Sequence, residues 1–451
     1  MKCSNNICHR PYSPPNVNLG EPYICRLAPG ELSIELEWFD TGKGAASYTL
    51  HIAKRGSEDH RAIDALPGTI TVDGLDTDTE YEFYIESSLG KRSRTRLART
   101  GATPEGCTVI NYLHPDDCQY IFSGRFLCSP SLVRTASGKL IAGMDVYGHA
   151  AGQNITLLYI SEDNGETWHY LCDLYPFYWS TLFSINGVIY ILGLSTEYGD
   201  LQISCSHDDG ATWATPSKLL WGSNFLCECG GIERAPMHFT EHRGRLYTAF
   251  GYGSWKYGGH SPATLSIDKD VDPMIPENWE YSAFLPFEGR WREESKERGD
   301  SIEGNLVTAP DGCLYSYLRW RRGELLKLKI NTDDLDAPPE YISIEEAPVS
   351  NSMFRIIPHA EKYYLITNRK SEVFGEYSRN VLSIFESYDL KNYKFVKDVI
   401  NFEDKDPKRF GFQYPAFIKE DENLYLSVRS AFNNADSFHN SNYMLFYKTK
   451  L

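Results

Sequence analysis

The chain has 451 residues, 14% of them aromatic, and a formal net charge of −16. That length allows two or three domains with large cores, and that charge argues against a nucleic-acid or anionic-membrane partner. A small anionic ligand stays open, since a local cluster of arginines can override the global field.

Residues 1–15, within "MKCSNNICHRPYSPPN", form a tail without the apolar stretch of a secretion signal, and no run of the chain is long enough to span a bilayer. A cytoplasmic protein is the expectation. Eleven cysteines stand at no framework spacing, which reads as reduced thiols. Cys227 and Cys229 make a lone C-x-C with no second pair at zinc-site spacing, so neither metal nor cofactor is expected.

Residues 16–104 read as a small β-sandwich. Leu32, Ile34, Leu36 and Trp38 alternate, as do Tyr48, Leu50 and Ile52, and then Tyr81, Phe83 and Ile85; period two buries one face of a strand. Leu75, a turn and Tyr81 have the shape of a tyrosine corner, and this segment resembles a fibronectin type III domain. "GATPEG", residues 101–106, reads as a linker, so the module is expected to be separable from the rest of the chain.

From residue 105 to 451 one phrase recurs: a turn, then a strand of alternating apolar residues. The turns centre near residues 138, 187, 244, 312, 361 and 422. Six evenly spaced hairpins predict six four-stranded blades, hence an all-β six-bladed propeller; a fused pair of sandwiches is the alternative. A second phrase, "SEDNGETW" at 161–168 and "SHDDGATW" at 206–213, is turn chemistry. Its Asp accepts from backbone N–H groups, its Gly suits a left-handed position, and its Trp folds back as an anchor.

These Asp boxes on a six-bladed propeller resemble the sialidase superfamily, and the resemblance covers residues 107–451. It implies a site whose members can be sought one by one. The first-blade stretch keeps Pro130-Ser131-Leu132, but Cys128 stands where the family has its first arginine. In "GMDVYGHAAGQN" the family's acid/base Asp is replaced by His149, with Asp145 the only carboxylate in reach. A histidine titrates near neutrality and can serve as acid or base. Glu303 and Arg319 match the family's Glu and second Arg across a "DG" turn. Arg379, before a degenerate box at Ser387 and Asp389, matches the third Arg. Tyr414 matches the nucleophile, with Glu303 as the base that its weakly acidic phenol needs. Arg234 and His238, and Trp255 and His260, sit on Gly-rich loops that could line a sugar pocket. His439 and Asn442 read as packing of the closing blade, and "RWREESKERGD" as a solvated loop.

Three functions are open to such a chain. The first is an exo-acting glycoside hydrolase of sialidase type on a terminal acidic sugar, for which the loss of one arginine counts against sialic acid itself. The second is a lyase that cleaves a uronate linkage by β-elimination, with Arg319, His149 and Tyr414 as its groups. The third is a non-catalytic carbohydrate-binding propeller. An oligosaccharide or glycoconjugate is the expected partner, and the oligomeric state is open.

Overall fold

The computed structural model describes residues 21–148, 151–224, 229–256, 259–287, 300–370 and 379–451. Their regular structure is β-strand throughout, save one 3₁₀ turn at Pro276–Asn278. The first strands make two sheets. One has three strands, in the order Pro22–Pro29, Ser33–Asp40, Gly68–Asp73; the other has four, in the order Arg61–Ala65, Tyr48–Lys54, Glu80–Ser87, Arg96–Arg99. Ile34, Leu36, Trp38, Leu50, Ile52, Tyr81, Phe83 and Ile85 are buried between them. Leu32 departs from the expected stripe: it is 56% exposed, because the strand begins one residue later, at Ser33. The Tyr81 hydroxyl accepts from the Asp76 N–H at 2.9 Å, which ties the turn down as the Leu75–Tyr81 spacing predicts.

Among the described residues of 107–450 the strands pair into six antiparallel sheets, spanning 126–174, 178–220, 231–281, 302–346, 355–401 and 411–450. Each of the six turn phrases joins the leading strand of one sheet to the next. Two of these turns, Asn186-Gly187 and Arg243-Gly244, have both residues at positive φ, the twist that a two-residue hairpin loop needs. The last sheet takes its fourth strand from Cys107–Tyr112, paired with Tyr443–Lys450. The leading strand Phe126–Arg134 packs beside both Tyr178–Ile185 and Gly411–Glu420. First and last sheets are therefore neighbours, and residues far apart in the chain meet on the leading strands.

Both box turns close as their composition demands. Asp163 accepts from the Thr167 N–H at 2.9 Å, and Asp208 from the Thr212 N–H at 2.8 Å. Ser161 and Ser206 each accept from the N–H of the box glycine at 2.8 Å. Trp168 and Trp213 are buried. Gly165 has φ +93°, and a Cβ there would fall 2.0 Å from the Phe446 ring, so the position admits no side chain. None of these residues reaches the pocket described below.

The amino-terminal sheets join the six through buried polar contacts. Arg96 donates to Asp117 at 2.6 Å, with both side chains almost wholly buried, and to the Ile24 carbonyl at 2.5 Å. Arg26 Nε donates to the Ile110 carbonyl at 2.8 Å. Tyr23 donates to Asp173 at 3.2 Å and pairs with the Tyr120 hydroxyl at 2.9 Å. Asp173 is buried, its Oδ1 has no hydrogen bond among the described residues, and burial pushes its carboxyl up to about 7. The folded state thus holds this proton more tightly than the unfolded chain, whose Asp titrates near 3.9. Asp173 therefore costs stability progressively as the pH rises from about 4 to about 7, and the cost is constant above. Asp173→Asn, which keeps the acceptor and cannot charge, is expected to gain on the wild type across that window. Urea midpoints at pH 5 and pH 8 check this: the variant's advantage must be larger at pH 8.

Candidate active site

Four of the six leading strands carry one irregularity in common. Opposite Gly143–Asp145, Leu192–Leu194, Tyr317–Arg319 and Ser427–Arg429 the register slips by one residue. At each slip the leading strand holds a non-glycine residue in the left-handed region: Ser129 (φ 49°), Trp179 (49°), Glu303 (57°) and Tyr414 (57°). A bulge turns a side chain out of the alternating pattern. A left-handed non-glycine costs about 1–3 kcal/mol and persists where the surroundings hold it. All four residues line one pocket of about 390 Å³. Gly304, after Glu303, makes room for its bulge: a Cβ there would meet Ser316 Oγ at 2.7 Å and Ala249 Cβ at 2.8 Å.

Tyr414, Glu303 and Arg319 form a connected triad. The Tyr414 hydroxyl donates to Glu303 Oε1 at 2.5 Å. Arg319 Nη1 donates to Glu303 Oε1 and Oε2 at 3.1 and 3.0 Å and to the Tyr414 oxygen at 3.1 Å. Its Nη2 reaches Asp300 at 3.2 Å, so the end of the mixed-charge stretch read as a solvated loop touches the site; residues 290–299 of that stretch lie outside the described residues. Burial and the Glu303 charge hold the Tyr414 phenol above its ordinary range, while Arg319, Arg379 and Arg429 pull the other way. The phenol is therefore protonated at rest, with a carboxylate oxygen in place to take its proton and a guanidinium in place to steady the phenolate.

Two further guanidiniums face the pocket, and their hydrogen-bond partners among the described residues are neutral. Arg379 donates to the Asn351 carbonyl at 3.1 and 2.6 Å and to Gln413 Oε1. Burial and the neighbouring guanidiniums of Arg319 and Arg429 draw it down to about 10, against the opposing charge of Tyr414. Arg429 donates to the Ser441 hydroxyl at 3.2 Å, to the Tyr147 hydroxyl at 3.1 Å and to the His439 carbonyl. Both are buried. Neither has a carboxylate partner among the described residues; a buried cation so placed is expensive, and an anion in the pocket would relieve both.

A second carboxyl lines the pocket at Glu233. It ends the short strand Gly231–Glu233, and the leading edge of the third sheet resumes at Thr240–His242. Its Oε1 accepts from the Ala235 N–H at 3.0 Å. Burial, reinforced by the charge of Glu303, pushes it up to about 8, so it carries a proton at neutrality. One pocket therefore holds a carboxyl group hydrogen-bonded to a phenol and an arginine, and a second that burial keeps protonated, the pairing that acid–base catalysis needs.

The sequence-derived candidates divide. Glu303, Arg319, Arg379, Tyr414 and Trp255 line this pocket together. Three others stand behind its wall. Asp145 is fully buried, accepting from the Thr156 hydroxyl at 2.5 Å and the Ser180 N–H at 3.2 Å. It braces the bulge beside Trp179 and has no access to a substrate. Burial lifts it to about 7. Arg234 is fully buried and ties the break in the third sheet to its neighbour, through Thr181 Oγ1 at 3.0 Å and the Met237 carbonyl at 2.9 Å. His260 is buried against the edge of Trp255, ring centroids 4.8 Å apart. His149 and Cys227 lie outside the described residues. His439, read from sequence as packing, lines the pocket, and its ring nitrogen Nδ1 is 2.9 Å from the Tyr147 hydroxyl. Sequence reasoning missed Glu233, Arg429 and Tyr147. Among the described residues no group of three or more His, Cys, Asp or Glu could hold a metal ion, and no helix is long and apolar enough to cross a membrane.

The fold is the all-β propeller type found in several glycoside hydrolases of known structure. The chain is similar to an α-L-arabinanase of Penicillium chrysogenum complexed with arabinobiose, with a TM-score of 0.51 and 12% identity over 77% of this chain and 98% of that one. It is similar to the Hadza microbial sialidase Hz136, with a TM-score of 0.50 and 13% identity over 98% and 99%. It is also similar to the α-L-arabinofuranosidase Arb93A of Fusarium graminearum, with a TM-score of 0.52 and 10% identity over 77% and 98%. At these identities the likeness is one of fold. No protein-family model matches the sequence, and no curated protein does.

Proposed function

We propose that this chain is an exo-acting glycoside hydrolase that removes a terminal acidic sugar, on a six-bladed propeller of residues 105–451 preceded by a fibronectin type III-like module at 16–104. The observation that carries the reading is the Tyr414–Glu303–Arg319 triad, facing the same pocket as two arginines that have no carboxylate partner among the described residues. The anomeric carbon of a sugar that bears a carboxylate beside it repels an Asp or Glu nucleophile, and a phenol avoids that repulsion. Arg379 and Arg429 hold the sugar's carboxylate, Arg429 from the last sheet acting where Cys128 leaves the first without an arginine. Tyr414 attacks the anomeric carbon as its proton passes to Glu303, while Glu233 gives its proton to the glycosidic oxygen and the C–O bond to the leaving group breaks. Water then attacks the anomeric carbon as Glu233 takes its proton, the bond from that carbon to the Tyr414 oxygen breaks, and Glu303 returns the proton to the phenolate.

The test is a panel of oligosaccharides ending in acidic sugars, sialosides and uronosides among them, followed by reducing-sugar release and by absorbance near 235 nm. Hydrolysis releases sugar without the absorbance; a rise at 235 nm means β-elimination instead, and retention without turnover means a binding protein. Glu233→Gln is expected to lower turnover of oligosaccharides by about 10²–10⁴-fold. Because the acid form is the working one, the wild-type rate is expected to fall as the pH rises through about 8, and the pH–rate profile of the variant must lack that limb.

A further inference from the structure

The proposed function places one sugar in the pocket, whose lip carries an aromatic ring fixed in a way that catalysis on that sugar does not explain. Trp255 lines the pocket yet is 46% exposed. Its indole N–H donates to Glu197 Oε1 at 3.0 Å, and its backbone N–H donates to the Tyr198 hydroxyl at 2.9 Å. Glu197 is itself fixed: its Oε2 accepts from Gln153 Nε2 at 2.6 Å, and Gln153 Oε1 accepts from the Tyr178 hydroxyl at 2.7 Å. A chain of hydrogen bonds thus runs along the wall from buried Tyr178 to the lip and sets the plane of the indole. Its ring neighbours, Trp179 and His260, meet it at 77° and 61°, so neither lies flat on it. Trp221 offers the contrast: it is more exposed, at 69%, but the Lys218 ammonium sits 3.5 Å from its ring.

A large aromatic ring that lines the pocket, is held in place and keeps part of its face exposed, with its polar edge already bonded, is suited to bind a ligand. Its complement is a flat ligand with an apolar face and a hydroxylated edge, and the Glu197 and Gln153 side chains beside it suit hydroxyls. We propose that Trp255 is the platform of a second sugar subsite, on which an uncharged pyranose of the leaving group stacks its C–H face. The assignment of that ring to the leaving group rests on the glycosidase reading of the pocket; the binding of an uncharged sugar to Trp255 does not. The substrate is then an oligosaccharide or glycan chain, and a bare acidic monosaccharide carrying a small leaving group uses only half of the site.

The test labels the full chain with 5-fluorotryptophan and assigns the Trp255 ¹⁹F line by its absence in Trp255→Phe. Lactose, N-acetyllactosamine, cellobiose and maltose are titrated to tens of millimolar. At least one is expected to move the Trp255 line saturably, and Trp255→Ala is expected to weaken binding of that disaccharide at least tenfold by calorimetry. The proposal is overturned if no disaccharide moves the line, or if Trp255→Ala binds the active disaccharide as the wild type does. A Trp255 line that responds in a protein that hydrolyses nothing keeps the subsite and sinks the glycosidase; hydrolysis beside a silent line does the reverse.

Discussion

Tyr414→Phe is expected to lower kcat by at least ~10³-fold, the scale on which loss of a nucleophile or its proton partner acts, while leaving KM or ligand affinity within a few fold. The change removes one hydroxyl and little volume. Arg319 keeps both of its bonds to Glu303, and Arg379 and Arg429 keep theirs to neutral neighbours, so the ground-state anion site stays intact. What disappears is the oxygen that attacks. Steady-state kinetics on the best substrate of the panel, with calorimetry for affinity, separate the two effects. A variant that loses affinity and keeps its rate would make Tyr414 a binding residue.

The second large effect concerns stability. Asp117→Ala is expected to cost about 3–5 kcal/mol, read as a lower urea midpoint, because it strands a buried guanidinium. Arg96 and Asp117 are both almost wholly buried, and the pair joins the amino-terminal sheets to the segment that leads into the first of the six. The double variant Arg96→Met, Asp117→Leu is expected to recover most of that loss, since a buried ion pair replaced by apolar groups is often neutral. Equal losses in the single and double variants would mean that packing at this seam, and not the stranded charge, carries the effect. The same contacts imply that residues 105–451 expressed alone are less stable than within the whole chain, which tempers the separability that a linker-like "GATPEG" suggests.

How much of this was legible in the chain varies by residue. The six turns announced themselves because a tight hairpin demands particular residues: Asn186-Gly187 and Arg243-Gly244 take up backbone angles that few pairs tolerate. The two box turns did so because Ser, Asp, Gly and Trp each have one job there. Glu303, Arg319, Arg379 and Tyr414 came from a family resemblance; Glu303 and Tyr414 stand on leading strands, Arg319 on the second strand paired with that of Glu303, and Arg379 just before the third strand of the fifth sheet. Glu233 gave no such signal. It ends a three-residue strand, and its importance comes from a pocket that only the folded chain creates. Arg429 stands on a second strand, in an alternating run that reads as core, and His439 lies within the connection 432–442, whose course no local pattern predicts. Asp145 and Arg234 err the other way: both are the right chemistry at the right distance along the chain, turned inward by burial. One signal was present and unread. Ser129-Pro130-Ser131-Leu132, Trp179-Ser180-Thr181-Leu182, Glu303-Gly304-Asn305-Leu306 and Tyr414-Pro415-Ala416-Phe417 share a pattern. Each has a pocket residue, then proline or a small residue, then another small residue, then a large apolar one. The bulge breaks the alternation there, so a search for period two passes over it.

The most direct measurement is the mass of the peptide that contains Tyr414 after acid quench of the enzyme during turnover. The account predicts that this peptide gains one glycosyl residue, that the gain maps to Tyr414, and that Tyr414→Phe abolishes it. A glycosyl residue found on the peptide that contains Glu303, with the Tyr414 peptide unchanged, would make the carboxylate the nucleophile and contradict the account.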